Sequence, residues 1–167
     1  MPNHTLSIVT GQPAAGKTTW GMALAQRQNA TFIDIDIVSE PIVRAALKLA
    51  NMSADDRDSK VFKAHFRQPI YESLFATAKA NLTHNNVVIT GPFTQELEQK
   101  LWKEELMTTF QCNVEIYWLT ADEEAIRERM QKRGAKRDRS KLENWDEYQL
   151  YFANMTSPKC RHTKIET

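Results

Sequence analysis

The stretch VTGQPAAGKTTW, residues 9–20, decides the fold, because it holds two of the chain's five glycines only five positions apart. Within it, Gly11–Thr18 reads GQPAAGKT and satisfies the pattern G-x-x-x-x-G-K-[ST]. Backbone N–H groups can wrap a phosphate only where side chains do not obstruct them, and glycines at both ends of the loop allow that approach. The pattern therefore predicts a loop that binds the phosphates of a nucleotide.

The flanking sequence supports this prediction. Residues 5–10 are β-branched and apolar, as in a buried strand, and residues 17–28 have the apolar spacing of a helix. That helix would present its N-terminal N–H groups to the phosphates, Lys17 would add a full charge, and the Thr18 hydroxyl could coordinate Mg²⁺. We therefore expect nucleotide contacts from Gly11, Gln12, Pro13, Ala14, Ala15, Gly16, Lys17, Thr18 and Thr19.

Length and composition predict one cytoplasmic domain over residues 1–167. A single core typically serves about 100–200 residues, and the net charge of +1 argues against a dedicated binder of nucleic acid or acidic membranes. Cys112 and Cys160 are too few for a disulfide framework and have no CxxC spacing, which is typical of a reducing cytosol. We expect neither a signal peptide nor a membrane-spanning segment.

Four further segments have the pattern of strands, and helical patterns separate them. These segments are residues 31–38, 86–90, 114–119 and 161–166. Strands that alternate with helices predict a parallel sheet with helices on both faces. The expected fold class is therefore α/β, a three-layer α/β/α arrangement around a five-stranded parallel sheet.

Capping residues and helix breakers set the predicted helix boundaries. Residues 53–67 are polar and charged and receive no assignment, and residues 135–141 are expected to form a basic loop. The predicted helices cover residues 39–52 with Ser39 as the cap and Pro41 in the first turn, 69–84, Thr94 to about Thr108, a Thr120–Glu123 capping box to Gly134, and 144–154.

Two acids, Asp34 and Asp36, lie in the sequence DID within the predicted second strand. Ligands of an open parallel sheet collect at the carboxyl ends of its strands, and residues two apart in a strand project to the same side. One carboxylate could bind Mg²⁺, directly or through water, while the other takes a proton from an attacking hydroxyl. The sequence leaves open which acid has which role, and a pair of solvated acids is the alternative.

The third strand ends at Thr90, where many proteins with such a phosphate loop carry an acid linked to Mg²⁺. A threonine can order a metal-bound water but supplies no charge, so more of the metal binding would fall to Asp34 or Asp36. The alternative is that residues 90–92, Thr-Gly-Pro, simply form a turn.

Several arginines after the fourth strand are candidates for a lid over the transferred phosphate. Movable arginines stabilise the charge that phosphoryl transfer spreads over oxygen atoms. We interpret Arg133 and Arg137 as lid residues and Arg127 as part of a solvated face paired with glutamates.

The phosphate loop, the DID sequence, the helix RERMQKR and the basic segment resemble, in this order, the P-loop small-molecule kinases. That group includes nucleoside monophosphate, shikimate and gluconate kinases, chloramphenicol phosphotransferase and zeta toxins. The chain is also similar to small bacterial AAA-family ATP-binding proteins through GPFT, residues 91–94, and RGAKRDRSKL, residues 133–142. The resemblance implies a P-loop NTPase fold with an arginine-rich lid at about residues 134–145.

The resemblance also implies ATP and Mg²⁺ as cofactors and transfer of the γ-phosphate to a hydroxyl or phosphate of a small acceptor. Asp36 matches the base of several relatives, Arg129 an arginine that lies on adenine, and Arg133 and Arg137 lid arginines on phosphate. Shikimate-type members carry further glycines after their Thr–Gly pair, where this chain has Pro92–Phe93. That departure argues against shikimate as the acceptor.

The acceptor is expected between the second and third strands, over about residues 39–75. Arg44 and Arg67 are candidates for holding an anionic acceptor, and Phe93 is a candidate for lining its pocket. The expected catalytic residues are Lys17, Asp36, Arg133 and Arg137, with Thr18 and Asp34 on the metal side.

The predicted function is an ATP-dependent phosphotransferase acting on a small molecule, as a monomer or homodimer, without a membrane or nucleic-acid partner. A nucleotide-binding regulatory ATPase without a small acceptor is one alternative, which the absence of an acid after the third strand favours. A toxin or antibiotic-modifying phosphotransferase would share the chemistry, and the sequence does not separate it from the first reading.

Overall fold

A five-stranded parallel sheet forms the centre of the protein. The computed structural model describes residues 4–57, 59–153, 155 and 157–167, without the side chains of residues 136, 137, 140 and 151–153. The order of strands is β2-β3-β1-β4-β5, and every neighbouring pair is parallel, which confirms the predicted sheet. The strands are β1 (Thr5–Gly11), β2 (Thr31–Asp34), β3 (Val87–Thr90), β4 (Asn113–Thr120) and β5 (Thr163–Glu166).

Helices connect the strands and cover the sheet. A short 3-10 helix, Glu96–Glu98, follows β3. The α-helices in the described part of the chain are α1 (Lys17–Gln28), α2 (Ile35–Leu49), α3 (Lys60–His65), α4 (Arg67–Asn81), α5 (Trp102–Phe110), α6 (Glu123–Arg133), α7 (Lys136–Glu143) and α8 (Trp145–Ala153).

Both faces of the sheet are buried, because successive residues of a strand point to opposite sides. In β3, Ile89 lies in a core cluster with Leu74 of α4, and Val88 lies in a second cluster with Leu24 of α1. All four residues of β3 are buried, as expected for a parallel strand with helices on both sides. The α/β fold class that the sequence predicts is confirmed.

The sheet order brings three chain segments together at one edge. Strand β1 lies between β3 and β4, and Asp34 at the end of β2 is in register with Thr90 at the end of β3. Thr90 is also the partner of Val9, two residues before the end of β1. The loop after Gly11 therefore opens beside the ends of β2 and β3.

The second strand is shorter than predicted, and this corrects the interpretation of the two acids. Strand β2 ends at Asp34, whose carboxylate accepts hydrogen bonds from the backbone N–H groups of Asp36 and Ile37 and caps α2. An aspartate at this position satisfies free N–H groups of the first helical turn. Asp36 therefore lies in a helix, and the prediction that both acids project to one side of a strand is wrong.

The predicted helix start at Ser39 is also wrong. Because Asp34 caps the helix, Ser39 lies inside α2, where its hydroxyl donates to the carbonyl of Ile35 at 2.6 Å. Pro41 lies in the second helical turn rather than the first.

Other boundaries differ for local reasons. Asp122, rather than Thr120, caps α6 by accepting from the Ala125 N–H, while Gly134 ends that helix in the left-handed conformation, as predicted. The unassigned residues 53–67 contain α3, and the predicted basic loop at residues 135–141 is mostly α7. The predicted helix from Thr94 is replaced by the 3-10 turn followed by α5, and α4 begins at Arg67 instead of Pro69.

None of the helices in the described residues is both long and apolar enough to span a bilayer.

Candidate active site

The phosphate loop is held against β4 by its first glycine. Gly11 has a φ of 142°, and a Cβ atom there would lie 2.1 Å from the carbonyl oxygen of Leu119. The next residue, Gln12, donates its backbone N–H to the same oxygen at 3.0 Å. At the other end of the loop, Gly16 caps α1 with a φ of 82° and nothing lies within 4 Å of its would-be Cβ. The loop is thus anchored at Gly11 and open at Gly16, where a phosphate would approach.

Lys17 extends across this loop. Its ammonium group donates to the carbonyl of Gln12 at 2.7 Å and to the carbonyl of Gly11 at 3.1 Å. The lysine charge is therefore already placed over the loop at the N-terminus of α1, where the helix dipole also favours an anion. The arrangement can bind the phosphates of a nucleotide.

Asp34 is the centre of a buried hydrogen-bond cluster that joins three elements. Its Oδ2 atom accepts from the Thr18 hydroxyl of α1 at 2.7 Å and from the Thr90 hydroxyl of β3 at 2.5 Å. Its Oδ1 atom accepts from the N–H groups of Asp36 and Ile37 at 2.9 and 3.1 Å. The Asp34 side chain is thus fixed next to the Thr18 hydroxyl, and a carboxylate stands where β3 itself offers only a threonine.

These residues fit a Mg²⁺ ion. Oxygen ligands such as a threonine hydroxyl and an aspartate are those that Mg²⁺ takes, and the ion usually keeps several waters and binds substrate phosphates as well. The described residues contain no group of three or more histidine, cysteine or acidic side chains that could hold a metal on its own. Thr18 and Asp34 therefore suit an ion that arrives with the nucleotide.

Asp36 occupies a different environment from Asp34. It lies exposed in the first turn of α2, where the helix dipole favours a negative charge. Asp34 is only 5% exposed and is occupied by four donors. Because α2 begins between them, the two carboxylates differ in exposure: Asp34 is buried, and Asp36 is open to solvent.

Gly21 of α1 controls how closely that helix approaches the Asp34 cluster. A Cβ atom at Gly21 would lie 2.4 Å from the Cγ2 atom of Thr90 and 3.2 Å from the ring of Phe32. The glycine therefore lets α1 pack directly on β3, which keeps Thr18 and Thr90 within reach of the same carboxylate.

Substituting Gly21→Ala should destabilise the protein by about 1–3 kcal/mol, as expected when a methyl group is forced into a packed core. Because Thr90 must move, the substitution should also weaken Mg²⁺-dependent ATP binding. Urea denaturation and a nucleotide titration measure the two effects. The matched control is the double variant Gly21→Ala/Thr90→Ser, which removes Cγ2 and keeps the hydroxyl, and it should recover most of both losses. Equal losses in the single and double variants would contradict this explanation.

Arg129 lies against the outer side of the phosphate loop. Its guanidinium donates to the carbonyl of Ala14 at 3.4 Å and to the Thr167 hydroxyl at 3.1 Å. The Thr167 hydroxyl in turn donates to the carbonyl of Ala15 at 2.9 Å. The structure thus brings Arg129 to the phosphate loop, and Thr167, which sequence reasoning missed, shares this location.

The lid candidates lie on α6 and α7. Arg133, the last residue of α6, donates to Asp138 of α7 through Nε at 2.8 Å and Nη2 at 2.6 Å. The side chain of Arg137 is outside the described residues. Asp138 was not among the predicted site residues, although an acid within a run of basic residues was a visible signal in the sequence.

The predicted acceptor residues do not form one pocket. Arg44 is exposed and pairs with Asp55 at 2.7 Å, and the Asp55 hydrogen bond and charge raise the pKa of its guanidinium. Arg67 donates to both oxygens of Glu96, at 3.0 and 2.7 Å. Both arginines therefore already have acidic partners on the surface around α2 and α4.

The Phe93 side chain lies in the core, and this corrects its predicted role as a pocket residue. It is fully buried and packs against Tyr71, Phe75 and Trp102. A ring in this position supports the turn after β3 from behind and has no exposed surface.

Tyr71 joins this core to the surface pair. Its hydroxyl accepts from the Phe93 N–H at 3.3 Å, and the Arg67 guanidinium lies 4.6 Å from the centre of its ring. Burial, with a smaller contribution from the negative charge of Glu96, raises the pKa of Tyr71 to about 12. The hydroxyl is therefore neutral throughout the physiological pH range.

The raised pKa of Tyr71 predicts a loss of stability at high pH. The folded state holds the proton more tightly than the unfolded state, so the stabilisation is complete below pH 10 and is lost as pH rises towards 12. Relative to Tyr71→Phe, the wild-type free energy of unfolding should fall by about 2 kcal/mol over that interval. Urea denaturation between pH 8 and pH 12 measures it, and parallel pH profiles for the two proteins would contradict it.

The chain is similar to known proteins over most of its length. The AAA domain family matches residues 6–155 of the chain. The chain belongs to this AAA domain family. Among curated proteins, shikimate kinase from Thermobifida fusca (strain YX) is 32% identical over 91 residues, which are 54% of this chain and 47% of that protein. The chain thus spans about half the length of the curated relative that it matches.

Solved structures share the fold. A sugar kinase from Janibacter sp. HTCC2649 is 18% identical with a TM-score of 0.59, and the alignment covers 99% of this chain and 85% of that one. A gluconokinase from Sinorhizobium meliloti 1021 is 17% identical with a TM-score of 0.57, covering 99% and 82%. The predicted resemblance to P-loop kinases is confirmed for the fold of this AAA domain.

Proposed function

We propose that this AAA-domain protein is an ATP-dependent phosphotransferase that moves the γ-phosphate to a hydroxyl or phosphate of a small-molecule acceptor. The observation that carries the proposal is the separation of two carboxylates by the start of α2. Asp34 is buried and accepts a hydrogen bond from the Thr18 hydroxyl beside the phosphate loop, and Asp36 is exposed two residues later. Asp34 is placed to help bind a metal ion that arrives with ATP, and Asp36 is placed to contact an acceptor.

ATP binding is assigned to the loop of residues 11–19. Backbone N–H groups at the start of α1 and the Lys17 ammonium would hold the β- and γ-phosphates, in place of the carbonyl groups that Lys17 now contacts. Arg129, which already borders the loop at Ala14, is proposed to lie against the adenine base.

Metal binding is assigned to Thr18 and Asp34. Bound Mg²⁺ would neutralise charge that develops on the phosphates during transfer. Asp34 suits the metal side better than the role of base, because it is buried and its Oδ2 atom is bonded to the Thr18 hydroxyl at the phosphate loop. We therefore propose that Asp34 lies on the metal side and Asp36 on the acceptor side.

Asp36 is proposed to accept the proton of the attacking hydroxyl. A base must lie within hydrogen-bond reach of the proton that it takes, and Asp36 is exposed in the first turn of α2 beside the capping Asp34. Arg133 and Arg137 are proposed to contact the transferred phosphate from the lid, at about residues 134–145. Phosphoryl transfer depends mainly on such positioning and charge stabilisation.

The acceptor is proposed to bind beyond Asp36, over the surface formed by residues 39–75. An anionic acceptor could replace Glu96, which offers two oxygen atoms to Arg67, or Asp55, which offers one oxygen atom to Arg44. No contact of the Phe93 ring with the acceptor is proposed. The acceptor's chemical class within hydroxyl- or phosphate-bearing metabolites is left to experiment.

The reaction is proposed to take place in the cytosol. Both cysteines are buried, and burial raises the pKa of the Cys112 and Cys160 thiols. Such thiols are poor nucleophiles and suit a structural role.

The alternative of a regulatory ATPase has less support from the structure than from the sequence. Its support was the missing acid after the third strand, and Asp34 supplies a carboxylate bonded directly to Thr90 at that place. A toxin or antibiotic-modifying phosphotransferase would use the same site, and only the acceptor would differ.

The proposal is tested by measuring ADP formation with Mg²⁺-ATP across a panel of sugars, sugar acids, hydroxy acids, nucleosides and nucleoside monophosphates. We expect at least one acceptor class to raise the rate well above the rate with water alone. Lys17→Ala, measured in parallel, should show no acceptor-dependent rate. A rate that no acceptor and no metabolite extract increases would favour the regulatory ATPase.

A further inference from the structure

One acidic side chain in the lid is buried although the residues around it are charged. Asp138 is 1% exposed, while the segment of residues 136–141 has the sequence KRDRSK. Its Oδ2 atom accepts from both Nε and Nη2 of Arg133, and its Oδ1 atom has no hydrogen-bond partner among the described residues. Burying a carboxylate costs free energy unless it is paired, so this inward orientation depends on Arg133.

The pair fixes an arginine that would otherwise be mobile. Arg133 is the last residue of α6, Gly134 then turns the chain, and Asp138 returns from α7 to the same guanidinium. A free arginine side chain populates many rotamers, so holding it in one direction costs conformational entropy. The two hydrogen bonds hold the Nε–Nη2 edge, while the Arg133 side chain is still 40% exposed. The Nη1 group, which takes no part in this pair, is thereby given a fixed direction.

We propose that Asp138 is a positioning residue for phosphoryl transfer: it orients the Arg133 guanidinium towards the transferred phosphate and itself does not touch the nucleotide. The inference rests on the proposed function, because it takes Arg133 as the lid arginine. A positioning role differs from a purely structural role in one respect. If Asp138 positions Arg133, its effect on turnover requires Arg133, whereas an effect through the packing of α7 does not.

A double-mutant cycle separates the two roles. Wild-type, Arg133→Ala, Asp138→Asn and the double variant are compared by kcat and KM for ATP, measured as ADP formation with acceptor or, without one, with water. Thermal midpoints are measured on the same four proteins. Removing a hydrogen-bond donor that stabilises the charge of the transition state typically lowers kcat by about 100-fold. We therefore expect a loss of about 100-fold for Arg133→Ala and of about tenfold for Asp138→Asn. KM should change little.

The decisive comparison is Asp138→Asn in the Arg133→Ala background. If Asp138 acts through Arg133, Asp138→Asn should have no further effect on kcat there. The thermal midpoint should not fall further either, because Arg133→Ala already leaves the buried carboxylate without its charged partner. Asp138→Glu should recover part of the rate lost by Asp138→Asn, because the carboxylate is retained. Equal kcat losses in both backgrounds, or no loss in the single variant, would overturn the inference.

Failure of the proposed function gives a different result. If the wild-type protein hydrolyses ATP and transfers nothing, the cycle is still measured on hydrolysis, and coupling between the two residues would uphold the role of Asp138 alone. If the wild-type protein turns over no ATP at all, both the proposed function and this inference are overturned.

Discussion

Replacing Asp36 by asparagine should lower kcat for transfer by at least about 100-fold, since a general base contributes about 10²–10⁴. ATP affinity should stay within about twofold. The reason is that Asp36 is exposed in the first turn of α2, while the buried Asp34 contacts the Thr18 hydroxyl at the phosphate loop. Single-turnover transfer and a fluorescence titration with ATP measure the two quantities.

Asp34→Asn is the control for that result, because it changes the same chemical group at the other position. It should weaken ATP binding in the presence of Mg²⁺ and have little effect in its absence, since its carboxylate is the one bonded to Thr18. A normal transfer rate for Asp36→Asn would contradict the assignment of the base. A metal-dependent loss of affinity in Asp36→Asn, with none in Asp34→Asn, would reverse the two roles.

Substituting Gly11→Ala should lower the free energy of unfolding by about 3 kcal/mol or more, in the upper range for forced overpacking. The added Cβ would lie 2.1 Å from the oxygen and 2.8 Å from the carbonyl carbon of Leu119, both of which belong to the backbone of β4. No side chain can rotate away to make room. The loop would have to separate from β4, with loss of the Gln12 to Leu119 hydrogen bond. Urea denaturation measures the change.

Gly16→Ala is the matched control within the same loop. Its Cβ would meet no atom within 4 Å, so only the left-handed φ of 82° opposes it, at about 1–2 kcal/mol. The methyl group would, however, project where backbone and phosphate must approach, so ATP affinity should fall sharply. If Gly11→Ala proves as stable as Gly16→Ala, the account of the loop's anchoring to β4 is wrong.

Much of the fold could be predicted because its signals are local and independent. Alternating strand and helix patterns indicated the parallel sheet, and the GQPAAGKT loop indicated where a nucleotide would bind. The helix Lys17–Gln28 and the end of α6 at Gly134 agree with prediction because glycines and a strong helical pattern define them. These features depend on residues that are close in sequence, so one amino-acid sequence is enough to predict them.

The parts that could not be predicted depend on tertiary contacts. The sequence TFIDIDIV suits a strand throughout, yet Asp34 ends it by capping α2, and its other oxygen is held by Thr18 and Thr90. Position 90 was ambiguous in sequence, because a threonine before Gly–Pro equally suits a turn. Likewise, the basic segment after Gly134 is helical and buries Asp138 against Arg133, a tertiary contact that the sequence does not display.

The central claim is that the γ-phosphate reaches a small molecule, and the fate of that phosphate tests it most directly. Purified protein would be incubated with Mg²⁺ and γ-labelled ATP, with and without a protein-free metabolite extract, and the labelled products separated. The account predicts label on a small molecule only when the extract is present, and its loss in Asp36→Asn. Label that appears only as inorganic phosphate, at the same rate with and without extract, would contradict it.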